Sequence, residues 1–235
     1  AALFCSLEDG KSGKGHLFLP REVLRKESLR LLNAKIPVAS LRLHEEEVEN
    51  VLENMILNGE VVSVQDNIYL PRVFVQEDAA ARNIAVRLAE PPAPERIDQA
   101  LEQVKRELGL VLSPKQEAAV YAAYRHNLSI ITGSPGTGKT TVLKTILEVY
   151  RRLHPQNEIT LMAPTGRASR RMAESTGFDK ARTLHSGLGL SNEEEDNHRT
   201  KQSEPLSADL IIVDEFSMVD MWLASKFFSR IKDGR

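Results

Sequence analysis

Apolar residues recur at helical spacing in two stretches near the start of the chain. The first opens at Arg21-Glu22, directly after Pro20, with Val23, Leu24, Leu31 and Leu32 as its apolar positions. After a break at Ile36-Pro37 the second runs over 44–58, with Val48, Val51, Leu52, Met55 and Ile56 on one face and Asn58-Gly59 as its C-cap. Then the pattern shortens. Val61, Val62 and Val64, the polar Gln65-Asp66-Asn67, and Ile68, Tyr69 and Leu70 read as strand, turn, strand. Helix, helix, hairpin is the order of a winged helix, so residues 1–90 are predicted to form a small winged-helix-like α+β domain.

Residues 91–94, Pro-Pro-Ala-Pro, form a stiff linker that no helix crosses. A helix over 95–108 ends near Gly109, and Ser113-Pro114 opens another. From 128 onward strands and helices alternate. Buried strands are predicted at 128–131, 159–163 and 210–213, with helices at 138–153, 166–175 and 218–232. Residues 191–207, with Glu193-Glu194-Glu195-Asp196, read as a polar surface loop. Such alternation implies an α/β fold with a parallel sheet and helices on both faces.

Composition narrows the classes. A net charge of −2 gives no global basic field, so any nucleic-acid contact must come from local clusters. The single cysteine, Cys5, rules out an intrachain disulfide and fits a cytoplasmic protein. No apolar run approaches the ~18 residues that span a bilayer, and Ala1–Cys5 does not read as a signal peptide. The chain opens on Ala1 rather than Met and stops at Arg235, directly after a helical pattern, which predicts a piece of a longer protein.

The strongest chemical signal is Gly133-Ser134-Pro135-Gly136-Thr137-Gly138-Lys139-Thr140, a full GxxxxGK[ST] pattern between a predicted strand and a predicted helix. Glycines let the backbone curl so that successive N–H groups face phosphate oxygens, and the following helix adds its positive end. Lys139 would reach the β- and γ-phosphates, Thr140 would offer its hydroxyl to Mg²⁺, and Thr141 follows on the same turn. The expected ligand is Mg-ATP. The second half is Leu210-Ile211-Ile212-Val213-Asp214-Glu215. An apolar strand carries Asp214 to its carboxyl end, where it can hold Mg²⁺ through water, and Glu215 can orient or deprotonate an attacking water. Lys139, Asp214 and Glu215 are the candidate catalytic residues.

Four stretches together resemble the RecD-like helicases of superfamily 1, the family of the exodeoxyribonuclease V α subunit. They are Leu112–Val120, Ala163-Pro164-Thr165-Gly166-Arg167-Ala168, Arg182-Thr183-Leu184-His185 and Asp214-Glu215-Phe216-Ser217-Met218. The N-terminal His16–Pro20 and Ile68–Pro71 add a looser likeness. The resemblance implies that 113–235 is the first RecA-like motor domain, interrupted after the Asp-Glu motif, with 91–112 as linker and helix. It implies that Gln116 reads the adenine edge; by residue type alone Gln116 reads as a solvated helix glutamine. Thr165, Gly166, Arg167 and His185 would touch single-stranded DNA, and Arg170 and Arg171 make this the most basic local cluster, which on charge alone is as well read as a solvated helix face. Ser186-Gly187 stands where the family carries an arginine, and Phe216 replaces a small residue.

The function so implied is an ATP-dependent DNA helicase or translocase, moving 5′ to 3′ by the family's habit. The present chain would bind nucleotide, hydrolyse it poorly and unwind nothing, because the later helicase motifs would lie beyond Arg235. The other reading is a nucleotide-dependent switch or scaffold. Residues 1–90 carry 11 Lys and Arg against 14 Asp and Glu, a balance of −3, which suits a protein partner better than a DNA backbone.

Overall fold

The computed structural model describes residues 1–34, 36–89, 95–190 and 204–231. The linker at 91–94 and residues 191–203 of the expected acidic loop lie outside the described residues. The described chain forms two units, residues 1–79 with 220–222, and residues 80–219 with 223–235. The division falls inside one long helix.

The first unit holds a three-stranded antiparallel sheet of β1 (Phe18–Pro20), β2 (Val62–Val64) and β3 (Asn67–Tyr69), in the order β1-β3-β2. Gln65 and Asp66 join β2 to β3 at positive φ, 48° and 64°. Two successive left-handed residues make the tight turn whose twist suits a hairpin. Around the sheet lie α1 (Ala2–Lys14), α2 (Arg21–Asn33) and α3 (Glu45–Leu57), and α4 (Pro71–Ala89) follows β3. Leu24, Leu52 and Ile68 are fully buried at the centre, joined by Leu3, Leu7, Val48 and Val73. The apolar spacing did not single out α1 or α4. Gly10 and Gly13 lower the helix propensity of α1, and its burial through Leu3 and Leu7 compensates.

Two expected helix faces shift. On α2 the buried positions are Leu24 and Ser28, whereas Val23, Leu31 and Leu32 stay 38–41% exposed. Ser28 tolerates burial because its hydroxyl meets that of Ser6 on α1 at 3.2 Å. That pairing across 22 residues turns α2 away from the face its leucines suggest. Val51 on α3 is likewise 52% exposed, while Val48, Leu52 and Met55 carry the contact.

α2 and α3 are also tied by charge. Arg21 Nε donates to Glu49 Oε1 at 2.7 Å, Arg25 donates to Glu49 Oε2 at 3.1 Å, and Arg21 also pairs with Glu53. Burial pushes the Glu49 carboxyl up, but the two arginines more than reverse this and hold it below its ordinary 4.5. A carboxylate depressed by folding stabilises fully above that ordinary value, and the contribution is lost as pH falls through the lower folded value. Thermal melts between pH 7 and pH 3 are therefore expected to show Glu49→Gln less stable than the parent at neutral pH, by on the order of 1 kcal/mol. The gap should narrow as pH falls below 4.5 through the lower folded value; a gap that stays constant across the whole range removes the charge from the explanation.

The second unit opens with α5 (Asp98–Leu108) and α6 (Pro114–Arg125), which pack with α7 (Lys139–Leu153) through Leu101, Val104, Val120, Val142 and Ile146. A parallel sheet of β4 (Ile159–Ala163), β5 (Arg182–Thr183) and β6 (Leu210–Val213) runs in the order β5-β4-β6. Between the strands come α8 (Gly166–Thr176) and α9 (Leu184–Gly187), and α10 (Met221–Arg230) closes the described chain. Leu147 of α7, Leu161 of β4 and Met172 of α8 share one buried cluster.

The strand expected at 128–131 is not part of this sheet. Those residues carry no ladder, and Ile130 is 87% exposed. An apolar run becomes a strand only where a neighbouring edge accepts its hydrogen bonds, and none of the described strands pairs with it. Residues 210–213 do form a strand, but half-buried rather than buried. The final helix starts at Met221, later than expected, because Phe216–Met218 form a 3₁₀ turn.

Candidate functional site

Residues 133–137 lie exposed between α6 and α7, in the order turn, glycine, helix. Gly136 and Gly138 sit at φ 80° and 81°, in the left-handed region that a side chain resists. The loop is held from within: Thr137 Oγ1 donates to the Ser134 carbonyl at 2.8 Å, and its N–H to the same oxygen at 3.3 Å. Lys139 folds back over the loop, with Nζ 2.5 Å from the Gly133 carbonyl and 3.1 Å from that of Ser134. Its ammonium therefore stands at the mouth of the curl. Thr140 is exposed on the first turn of α7, while Thr141 is half-buried and accepts from Thr145 at 2.8 Å through its carbonyl.

The next helix upstream grips this loop from outside. Ser113 caps α6 by accepting from the Gln116 N–H at 3.3 Å, and the Gln116 side-chain oxygen accepts from the Ser113 N–H at 2.8 Å. Gln116 Nε2 then donates to the Thr137 carbonyl at 3.1 Å. Further along, the buried Tyr124 hydroxyl donates to the Ile146 carbonyl at 2.7 Å, and burial pushes that phenol well above its ordinary value. α6 is thus fastened to the loop and to α7. The Ser-x-x-Gln spacing at 113–116 is the signature of a capping box and was available in the sequence; the bond to Thr137 had no such signal.

Three parallel strands end in register. Met162 of β4 lies opposite Val213 of β6, and Ala163 opposite Thr183 of β5. Asp214, Thr165 and His185 each follow a strand's carboxyl end, the side on which open α/β sheets bind ligands. Asp214 extends the ladder by one bond, its N–H donating to the Met162 carbonyl at 3.0 Å. Its Oδ1 accepts from the Glu215 N–H at 2.8 Å, while Oδ2 carries no hydrogen bond among the described residues. Glu215 has φ 53° and ψ 38°, a left-handed conformation that costs a non-glycine residue about 1 kcal/mol or more.

Magnesium takes hard oxygen donors and keeps much of its shell for water and phosphate. The exposed Thr140 hydroxyl and the uncommitted Asp214 oxygen are donors of that kind. No cluster of three or more His, Cys, Asp or Glu exists among the described residues, and a metal shared with phosphate requires none.

On the sheet's rim, Thr165 caps α8, its hydroxyl oxygen accepting from the Ala168 N–H at 3.2 Å, and Gly166 is the helix's first residue. Arg167, Arg170 and Arg171 line one open depression with Glu174. Their spacing places them on one side of α8. His185 sits in the single turn of α9, which Thr183 caps by accepting from the Ser186 N–H at 3.1 Å.

A glycine loop closing on a helix start, together with a parallel strand that ends on an acid, is the pattern of a P-loop α/β protein. The family model described as AAA domain matches residues 116–235, more than half of the chain, and the chain belongs to that family, as a homologue of the RecD-type helicases. It is 32% identical to the ATP-dependent RecD2 DNA helicase of Deinococcus radiodurans over 100% of its own length and 32% of that protein. Against the RecBCD enzyme subunit RecD of Haemophilus influenzae it is 38% identical over 50% of the chain and 21% of the relative. For the Buchnera aphidicola RecBCD enzyme subunit RecD the figures are 30%, 94% and 41%. The chain therefore spans well under half the length of these relatives. No helix among the described residues is long and apolar enough to cross a membrane.

Proposed function

We propose that this chain supplies the nucleotide-binding part of an ATP-dependent DNA helicase that translocates on single-stranded DNA in the cytoplasm. The observation that carries the reading is the loop itself: Lys139 stands over a glycine curl that runs directly into the start of α7. In this reading residues 113–235 are a RecA-like motor domain and 91–112 the linker and helix before it. ATP phosphates enter the curl of Gly133, Ser134, Pro135, Gly136, Thr137 and Gly138, displacing Lys139 from the loop carbonyls onto the β/γ oxygens. Thr140 and Asp214 would hold Mg²⁺, which would neutralise phosphate charge when bound, and Glu215 would orient the attacking water. The adenine edge meets Gln116, and Thr141 lies behind the phosphates.

Single-stranded DNA then runs along Thr165, Gly166, Arg167 and His185. The arginine-lined depression on α8 supports this path, because phosphate contacts need local positive charge in a chain whose net charge is −2. Residues 1–90 form a winged-helix-like domain that binds a protein partner, supported by their charge balance of −3 and by the pairing of Arg21 and Arg25 with glutamates.

The test is steady-state ATP hydrolysis, with and without a single-stranded oligonucleotide, on this chain and on the full-length protein containing it. Strong stimulation in the full-length protein is expected, with DNA affinity falling steeply as salt rises. Hydrolysis indifferent to DNA, with no salt-dependent DNA affinity, would instead favour a nucleotide-dependent switch or scaffold.

A further inference from the structure

Gln116 does more in this structure than wait for a base. Its amide is committed on both sides: the oxygen to the Ser113 N–H, the nitrogen to the Thr137 carbonyl. The approach is close, since a Cβ added at Gly138 would fall 2.4 Å from Gln116 Nε2. The bonded oxygen belongs to the peptide unit between Thr137 and Gly138. In a trans peptide the C=O and the following N–H point in opposite directions, and no peptide bond among the described residues is cis. Holding the Thr137 oxygen towards α6 therefore turns the Gly138 N–H away from α6. The unit is flanked by Thr137 and Gly138, and Gly138, at φ 81° with no side chain, leaves the unit free to turn on that side unless its oxygen is held.

We infer that Gln116 is a positioning residue of the phosphate loop: by anchoring the Thr137 carbonyl it aims the Gly138 N–H at the bound phosphate, whatever base the nucleotide carries. The inference rests on the loop being a nucleotide site. It is compatible with adenine contact, because an amide has two N–H groups and two lone pairs and only one of each is used here. What separates the two roles is a ligand with no base.

The experiment measures affinity for ATP and for inorganic tripolyphosphate, in the wild-type chain, in Gln116→Ala and in Gln116→Glu. The glutamate variant keeps the oxygen that accepts from Ser113 and so retains the helix cap, but has no N–H for Thr137. It guards against misfolding of the alanine variant, and far-UV circular dichroism checks both. Loss of one such bond is expected to weaken both ligands in Gln116→Ala by a similar factor, about fivefold. In ¹H–¹⁵N spectra the Gly138 amide should shift on adding tripolyphosphate to wild type and shift much less in either variant. If ATP weakens while tripolyphosphate affinity and the Gly138 response stay at wild-type values, Gln116 acts on the base alone and the inference is overturned. Unchanged affinity for both ligands overturns it as well. A wild-type chain that binds neither ligand removes the nucleotide site itself, and the inference with it.

Discussion

Lys139→Ala is expected to weaken nucleotide binding about a hundredfold while leaving the fold intact. The ammonium is exposed and reaches the carbonyls of Gly133 and Ser134 at 2.5 and 3.1 Å, so it is already at the mouth of the loop. When phosphate arrives, the same flexible side chain exchanges two neutral acceptors for charged ones. A hydrogen bond to a charged group contributes about 1.5–3 kcal/mol, the upper part of which corresponds to roughly a hundredfold in affinity. The stability change should be small, because the side chain is solvated and its loop contacts compete with water. Lys139→Arg is not expected to rescue, since a planar fork cannot occupy the place of a point charge inside a tight curl. Titration with a fluorescent nucleotide, beside a thermal melt, checks both halves. Unchanged affinity in a folded variant would remove the loop from the binding site.

The second large effect belongs to Gly138→Ala. Two costs combine there. At φ 81° and ψ 25° any side chain strains the backbone, by roughly 1–2 kcal/mol. The new methyl would also lie 2.4 Å from Gln116 Nε2, so the glutamine must leave the Thr137 carbonyl. Gly136→Ala separates the two costs: its φ is 80°, yet nothing lies within 4 Å of the added carbon. Both variants should melt lower than the parent. Gly138→Ala should in addition lose nucleotide affinity by about fivefold beyond the loss in Gly136→Ala, as expected for losing the Gln116 bond. Equal losses in both would reduce the glycine requirement to backbone strain alone.

Much of the site was legible before any coordinate. The loop at 133–140 announces itself because phosphate binding needs backbone freedom at fixed spacings, and glycine is the residue that supplies it. Ser113 with Gln116 is equally local, a helix start written within four residues. β4 appears at the residues its apolar run marks, and the hairpin at 62–69 follows from a valine run and a polar turn. Each of these is decided by neighbours a few positions apart, which is the range over which side-chain pattern and backbone preference act.

What the tertiary structure alone decided involves partners far along the chain. The run at 128–131 has the composition of a buried strand, yet strand formation depends on a free edge to pair with, and composition carries no information about edges. Ser28 is buried because Ser6 meets it, and that contact moves the buried stripe of α2 away from Val23, Leu31 and Leu32. Glu215 takes a left-handed backbone with no glycine to advertise it. Above all, residue type made Gln116 a solvated glutamine and family likeness made it a base reader; its bond to Thr137, 21 positions away, exists only once α6 has packed on α7. The chemistry of the loop is local and so is written in the sequence, whereas the direction in which the loop's groups point is set by a neighbouring helix, and only the folded chain brings that helix there.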